Sequence, residues 1–226
     1  MKTNVTIAAS VLTANYLSLK DDLTNLQKAG INWIHFDVMD HHFVPNLSFG
    51  PKILSDICQF SPNFNLDCHL MVKITTPKVH DYLKPFMLPQ VKNITLHYEA
   101  LTTEQLTEFL MWKEPGFKKG LAINPETAIS KVYEHLPYLD TILIMSVKPG
   151  AGGQTFIADS TNKIKSLVKH IANNFPNLTI AVDGGINDLT VSACINAGAN
   201  YLVAGSYLLN SSNPIKIQVD KLFFYE

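Results

Sequence analysis

Short apolar runs rich in β-branched residues alternate with longer segments of helical periodicity from one end of the chain to the other. Runs of this kind predict strands that are covered on both faces, as in a parallel sheet. We predict eight strands, near 5–10, 32–39, 66–72, 93–98, 119–124, 141–147, 178–183 and 200–205.

The segments between these runs carry helical signals. Two of them place apolar side chains on one helical face: 158–174 with Ile164, Leu167, Val168 and Ile171, and 17–29 with Leu19, Leu23 and Leu26. Gly30 predicts the end of the earlier helix, since glycine is common just after a C-terminus. Pro51 and Pro77 predict helix first turns, and a final helix is expected over 213–224.

Eight strand–helix repeats without a linker or a low-complexity tract predict a single (β/α)8 TIM barrel, with 1–226 as one catalytic domain. The alternative is an open doubly wound sheet. It is disfavoured because the Gly-x-Gly-x-x-Gly string expected after the first strand is missing. In a barrel, function lies at the carboxyl ends of the strands.

Polar side chains occupy matching places on three of these strands. His35 and Asp37 alternate on one strand, His69 lies on the next, and Asp183 ends the seventh. A lone histidine in a strand is more often a hydrogen-bonded core residue than a ligand. Two histidines and two aspartates meeting at strand ends favour a site for one divalent ion: Zn²⁺ first, with Fe²⁺, Mn²⁺ or Co²⁺ as alternatives.

Asp37 and Asp183 also predict acid–base chemistry. They come from strands two and seven, so we expect them to approach a substrate carbon from opposite sides. One carboxylate then removes a proton and the other returns one to the opposite face, which inverts the centre without redox chemistry. A metal ion would stabilise the enediolate formed between these two steps.

The positive charge of this chain is carried by lysine alone, because arginine is absent. An anionic substrate must therefore be held by lysine or by backbone N–H groups. Glycine-bearing turns follow the last three strands, where such barrels hold phosphate. The predicted substrate-binding positions there are Gly150, Ala151, Gly152, Gly153, Gly184, Gly185, Gly205 and Ser206.

Other polar and sulfur-bearing residues receive lesser roles. Met39, Met71 and Met145 are predicted to line the pocket and keep water from the enediolate, although methionine is equally common as a core filler. Asp40, Asp67 and Glu99 are expected either to support the site from behind or to be structural, rather than to move protons. The histidines given no ligand role are His41, His42, His80, His135 and His170.

Composition narrows the function class. A net charge of −1 argues against nucleic acid or an anionic membrane as partner. No apolar run approaches the roughly 18 residues of a spanning helix, and no signal peptide is expected. Three widely spaced cysteines fit a reducing cytoplasm. A homo-oligomer is expected, without a number of subunits.

Several strings, in order along nearly the whole chain, resemble the ribulose-phosphate 3-epimerase family. They are Ala8–Leu12, His35–Asp40, His42–Pro51, Asp67–Val72, His97–Ala100, Met145–Gly150, Val182–Ile186 and Val203–Ser206. The resemblance implies interconversion of D-ribulose 5-phosphate and D-xylulose 5-phosphate, a step of the pentose phosphate pathway. It also implies substrate contacts for Ser10 and His69, in addition to the metal and acid–base roles above.

The chain departs from the family pattern at Ala9, Asn15, His41, Ala151 and Ala181. None of these changes removes a ligand or an acid–base residue, so they bear on substrate preference and rate.

Three other functions remain open from the sequence. A related epimerase would act on a six-carbon substrate such as D-allulose 6-phosphate. A barrel decarboxylase or aldolase is disfavoured because the Asp-x-Lys-x-x-Asp string of the related decarboxylases is missing. A catalytically silent barrel that binds a phosphorylated metabolite is disfavoured by the intact histidine and aspartate set.

Overall fold

The strands form a closed parallel barrel, as the alternation of strand and helix signals predicts. The computed structural model describes residues 5–61, 63–172 and 174–223. Within them, each strand pairs in parallel with the next and the last pairs with the first. The strands are β1 (Thr6–Ser10), β2 (Trp33–Met39), β3 (Asn65–Met71), β4 (Val91–His97), β5 (Lys118–Ile123), β6 (Thr141–Met145), β7 (Thr179–Asp183) and β8 (Tyr201–Ala204). The single (β/α)8 TIM barrel is confirmed.

Helices surround the barrel and pack on the outward faces of the strands. The α-helices are α1 (Leu19–Lys28), α2 (Pro51–Phe60), α3 (Val79–Leu83), α4 (Thr103–Met111), α5 (Ser160–Ile171), α6 (Val191–Ala197), α7 (Ser206–Leu209) and α8 (Ile215–Phe223). Short 3-10 helices span Val11–Thr13, Lys84–Phe86 and Tyr98–Ala100, and a longer one spans Ile129–Tyr138. The helix predicted over 213–224 is α8; its predicted last residue lies outside the described residues.

Local sequence explains where several helices begin and end. Thr102 and Gln105 form a reciprocal capping box at the start of α4. Pro51 occupies the first turn of α2, where its missing N–H costs nothing. Gly30 follows α1 with a φ of 94°, a left-handed conformation that favours glycine.

One sequence prediction about the start of a helix is wrong. Pro77 does not lie in a first turn: α3 begins at Val79 after Lys78, which has extended backbone. A proline, which lacks an N–H and has a fixed φ, is tolerated in the segment before a helix as well as in its first turn. The four apolar residues predicted to share a helical face all lie on α5, but Val168 is 36% exposed whereas Ile164 and Leu167 are fully buried. It lies at the edge of that face, against Gly198 at the end of α6.

The inside of the barrel is divided into two chemically different walls. The inward side chains of β2, β3 and β4 are mostly polar: His35, Asp37, Asp67, His69, Asn93, Thr95 and His97. Most of those of the remaining strands form an apolar cluster: Ala8, Ala122, Leu143, Met145, Ala181, Tyr201 and Val203. Below, the first group is called the polar wall and the second the apolar wall.

Candidate active site

Four side chains converge at the carboxyl end of the barrel, as the strand alternation predicts. His35 and Asp37 project inward from β2, His69 from β3 and Asp183 from the end of β7. One donor atom from each of the four lies within 4.8 Å of the corresponding atom of every other. Both histidines are fully buried and Asp37 is 2% exposed, whereas the Asp183 side chain is 15% exposed. Asp183 therefore offers the most accessible carboxylate of the set.

The spacing of these atoms suits a metal ion. Four ligands about 2.1 Å from a tetrahedral centre lie about 3.4 Å from one another. In the structure, Nε2 of His35 and Nδ1 of His69 are 3.2 Å apart. Oδ1 of Asp37 lies 3.3 Å and 3.0 Å from these two nitrogens, and Oδ2 of Asp183 lies 3.7 Å and 3.5 Å from them. The cluster thus suits a divalent metal site.

The electrostatics of the cluster point the same way. Burial lowers the pKa of the His35 ring, but the carboxylates of Asp37 and Asp67 outweigh burial and hold it well above its usual value. Burial also lowers the pKa of His69, and hydrogen bonds with Asp183 and Asp37 raise it above normal. Buried carboxylates therefore favour a positive charge at this point, which a metal cation satisfies.

Asp37 is held as a carboxylate. Burial raises its pKa, but the charge of His35 and hydrogen bonds from His35 and His69 prevail and keep it below the usual range. The Ser10 hydroxyl donates to Oδ2 of Asp37 at 2.6 Å. Ser10 thus contacts the Asp37 carboxylate as well as lining the cleft.

In each histidine of the cluster, the ring nitrogen that points away from the other donor atoms contacts another buried polar group. Nδ1 of His35 lies 2.9 Å from Oδ2 of Asp67. Nε2 of His69 lies 2.8 Å from Nε2 of His97, whose ring stacks on that of His69. Burial lowers the pKa of His97 to about 4, so its ring is neutral at pH 7.

The predicted glycine turns lie around the same cleft. Gly150, Ala151, Gly152, Gly153, Gly184, Gly185, Gly205 and Ser206 all line it, together with Ser10, Asp37 and Asp183. Gly185 has a φ of 65°, and a Cβ there would lie 2.6 Å from the backbone nitrogen of Phe156. Only glycine fits at this position without moving the backbone. Asn46 also donates to the carbonyl of Gly150 at 2.9 Å, which joins the loops after β2 and β6.

Met39, Met71 and Met145 line the cleft next to the carboxylates. All three are almost fully buried. His69 lies beneath the cleft and is not among its lining residues, so its contact with substrate stays a prediction. His41 is exposed, with a φ of 60°.

Sequence reasoning missed some residues that shape the site. The buried Ser146 hydroxyl donates to the carbonyls of Asp183 and Gly184, at 2.9 Å and 2.6 Å, and so fixes the end of β7. His97 begins one of the family strings but received no role of its own. Cleft-lining residues that received no role are Leu12, Thr13, Val147, Lys148, Pro149, Gln154, Ile186 and Val203. The position of Ser146 directly after Met145 was the available signal.

Comparison with known proteins shows which family the chain belongs to. Residues 6–209 match the model of the "Ribulose-phosphate 3 epimerase family". The chain belongs to the ribulose-phosphate 3-epimerase family. A relative named ribulose-phosphate 3-epimerase from Buchnera aphidicola subsp. Acyrthosiphon pisum is 39% identical over 216 residues, which cover 96% of this chain and 92% of that protein. One of the same name from Escherichia coli is 36% identical, covering 93% and 92%. The expected family and the isomerase class are confirmed.

Solved structures of low identity show the fold alone. The 3-keto-L-gulonate-6-phosphate decarboxylase of Vibrio cholerae superposes with a TM-score of 0.69 at 14% identity, covering 98% of this chain and 96% of that one. The barrel is thus shared with proteins outside the epimerase family, and the arrangement of His35, Asp37, His69 and Asp183 has to carry the functional argument.

Proposed function

We propose that this protein interconverts D-ribulose 5-phosphate and D-xylulose 5-phosphate by proton transfer at C3. The observation that carries the proposal is the meeting of Asp37 and Asp183, from β2 and β7, around the donor atoms of two buried histidines. The names of the family relatives supply the substrate class.

Asp37 and Asp183 are the proposed acid–base pair. A ketose phosphate that enters the cleft between them presents C3 to one carboxylate on each face. One carboxylate takes the C3 proton, and the other, protonated, returns a proton to the opposite face. The hydrogen bond from Ser10 fixes the Asp37 carboxylate, so its direction of approach is set before substrate binds.

His35, Asp37, His69 and Asp183 would hold one divalent metal ion, for which Zn²⁺ is the proposed occupant because nitrogen and carboxylate ligands at tetrahedral spacing suit it. When bound, the ion supplies positive charge next to the negative charge that develops on the substrate oxygens as C3 loses its proton. Met39, Met71 and Met145 cover the same space with groups that neither ionise nor exchange protons, and so exclude water.

The phosphate is proposed to lie against the glycine turns after β6, β7 and β8. Backbone N–H groups in such turns form anion-binding concavities that need no arginine. Gly150, Gly184 and Gly185 line the cleft in left-handed conformations. The exposed Lys148 lies on the cleft rim and adds positive charge.

Further features belong to the same proposal. The chain is proposed to act as one catalytic domain over 1–226, as a homo-oligomer in the cytoplasm. The three cysteines are unpaired, which suits a reducing compartment. Within the described residues, no helix is both long and apolar enough to cross a bilayer.

The test is proton NMR of D-ribulose 5-phosphate incubated with the protein in D₂O, with and without chelator. We expect deuterium at C3 together with formation of D-xylulose 5-phosphate, both lost on chelation and restored by Zn²⁺. D-allulose 6-phosphate serves as the comparison substrate. No exchange with the pentose in metal-loaded protein would contradict the proposal, and faster exchange with the hexose would reassign the substrate.

A further inference from the structure

The two metal-facing imidazoles use opposite ring nitrogens. His35 directs Nε2 to the cluster of donor atoms, and His69 directs Nδ1 to it. A neutral imidazole has one N–H and one lone pair, and only the lone pair binds metal. With a metal ion bound, the proton must therefore be on Nδ1 of His35 and on Nε2 of His69. Each of these outer nitrogens, which point away from the metal, contacts one partner that can hold its proton in place.

The first partner is the Asp67 carboxylate, 3% exposed at the middle of the polar wall. A carboxylate only accepts hydrogen bonds, so Nδ1–H of His35 donates to Oδ2 of Asp67 at 2.9 Å. The other oxygen, Oδ1, accepts from Nδ2 of Asn93 at 2.7 Å. Asn93 is fixed in turn, because its Oδ1 accepts from the Thr141 hydroxyl at 3.2 Å and its Nδ2 donates to Thr95 at 2.8 Å.

The second partner is His97, which links His69 to a carboxylate. Nδ1–H of His97 donates to Oε2 of Glu99 at 3.4 Å, so Nε2 of His97 carries the lone pair. That lone pair accepts from Nε2–H of His69 at 2.8 Å. Glu99 is anchored by the backbone N–H of Asn124 at 2.8 Å and by the Thr127 hydroxyl.

We propose that Asp67 and the pair His97 and Glu99 are positioning residues that fix opposite tautomers of His35 and His69, so that both lone pairs face one metal ion. This inference rests on the proposed metal site and extends it to residues that do not touch the metal. A ring that turned over would direct an N–H at the ion, and affinity would fall. Loss of such an outer partner typically weakens metal binding about 10- to 100-fold.

Exchange of one pair of side chains tests the first partner. In Asp67→Asn, an amide N–H₂ replaces one accepting oxygen between two donors, and we expect the affinity for Co²⁺, measured by competition with a chelator, to fall about 10- to 100-fold. In Asp67→Asn/Asn93→Asp, the amide oxygen faces His35 and the amide nitrogen faces the new carboxylate. This double variant should regain most of the lost affinity.

The second partner is tested by replacing a hydrogen-bonding side chain with one of similar size. His97→Leu keeps the volume but removes the acceptor for His69, and it should weaken Co²⁺ binding. His97→Gln keeps an accepting oxygen and should bind Co²⁺ more tightly than His97→Leu. Asp140→Asn is the matched control, because that half-buried carboxylate accepts from the backbone N–H of Lys119 and does not touch the site.

A spectroscopic signature separates tautomer control from general support of the fold. Two-bond ¹H–¹⁵N correlation spectra of the Zn²⁺-loaded protein should show His35 with its proton on Nδ1 and His69 with its proton on Nε2. The inference fails if either ring shows the other tautomer, or if Asp67→Asn and His97→Leu bind Co²⁺ as tightly as Asp140→Asn. Absence of Co²⁺ and Zn²⁺ binding by the unaltered protein would instead contradict the proposed metal site.

Discussion

The two walls of the barrel interior differ in how they are held together. On the polar wall, His35, Asp37, Asp67, His69 and His97 are all buried, and each contacts a polar partner on the same or a neighbouring strand. On the apolar wall, small and branched side chains such as Ala122, Leu143 and Val203 fill the interior without polar contacts. Asp183, at the end of β7, faces the polar wall from the opposite side.

The difference implies that the polar wall carries the chemistry and that the apolar wall contributes mainly to stability. Buried charged groups on the polar wall are tolerated because neighbouring charges and hydrogen bonds compensate their desolvation. The apolar wall stabilises the barrel by excluding water, and it lowers the local dielectric so that the facing charges interact more strongly. We therefore expect substitutions on the polar wall and at Asp183 to affect activity, and substitutions on the apolar wall to affect stability.

The largest effect is expected when the acid–base carboxylates are neutralised. Asp37→Asn and Asp183→Asn keep size and remove the proton-transferring group, so kcat should fall by at least about 10³-fold, within the range attributed to positioned acid–base groups. Steady-state kinetics measures the loss, and circular dichroism should show an intact fold. Asp140→Asn is the control with unchanged kcat. Near-normal turnover in either variant would contradict the two-base mechanism.

The next effect is expected on the apolar wall. Leu143 is 1% exposed, and Leu143→Ala leaves a cavity that should lower the free energy of unfolding by about 2–5 kcal/mol. Urea denaturation measures this change, and kcat per folded molecule should stay within a few-fold of normal. Leu189→Ala is the control: Leu189 is 87% exposed, so the change should cost less than about 0.5 kcal/mol. A large loss of kcat without loss of stability would show that the walls do not divide the two roles.

The fold was predictable because a parallel barrel repeats one pattern. Each strand is buried on both faces, so β-branched runs marked β2 and β7 to within two residues at each end. Strand alternation also predicts that His35 and Asp37 share one face of β2 and that His69 lies on the matching face of β3. The starts of helices were harder to predict, because the backbone before a helix can take several conformations. Pro77, for example, lies before α3 and not in its first turn.

The residues that contact the two cluster histidines from behind were less predictable than the cluster itself. His97 and Asp67 lie 28 and 32 positions from their ring partners, and only the register between β2, β3 and β4 brings them into contact. The sequence predicts a supporting or structural role for Asp67 and Glu99. It does not predict which atom each of them contacts. Which ring nitrogen faces inward depends on side-chain rotation, for which the sequence carries no signal.

A smaller effect, on KM, is expected when a glycine of the proposed phosphate turns is replaced, but not when a glycine elsewhere is replaced. Gly185→Ala forces a Cβ to 2.6 Å from the backbone nitrogen of Phe156 and displaces the turn, so the KM for D-ribulose 5-phosphate should rise about tenfold, equivalent to roughly 1.4 kcal/mol of lost binding. Gly116→Ala is the matched control. It also has a left-handed φ, of 93°, but its added Cβ would meet no atom within 4 Å. Equal KM values for the two variants would exclude this turn as a phosphate site.

The smallest effect is expected on the reactivity of the buried cysteines. It tests whether the strands of the polar wall open to solvent as rarely as those of the apolar wall. Cys68 lies between Asp67 and His69 but points outward, and burial with nearby Asp67 holds the pKa of its thiol well above normal. Burial likewise raises the pKa of Cys194 to about 12, and raises that of Cys58. Because the thiolate is the reacting form, a raised pKa slows reaction at any pH below it. At pH 8, Ellman's reagent should therefore leave all three thiols unmodified until urea unfolds the protein. Rapid reaction of a native thiol that disappears in Cys68→Ala would reveal local opening of β3, and the polar wall would then be the less closed side of the barrel.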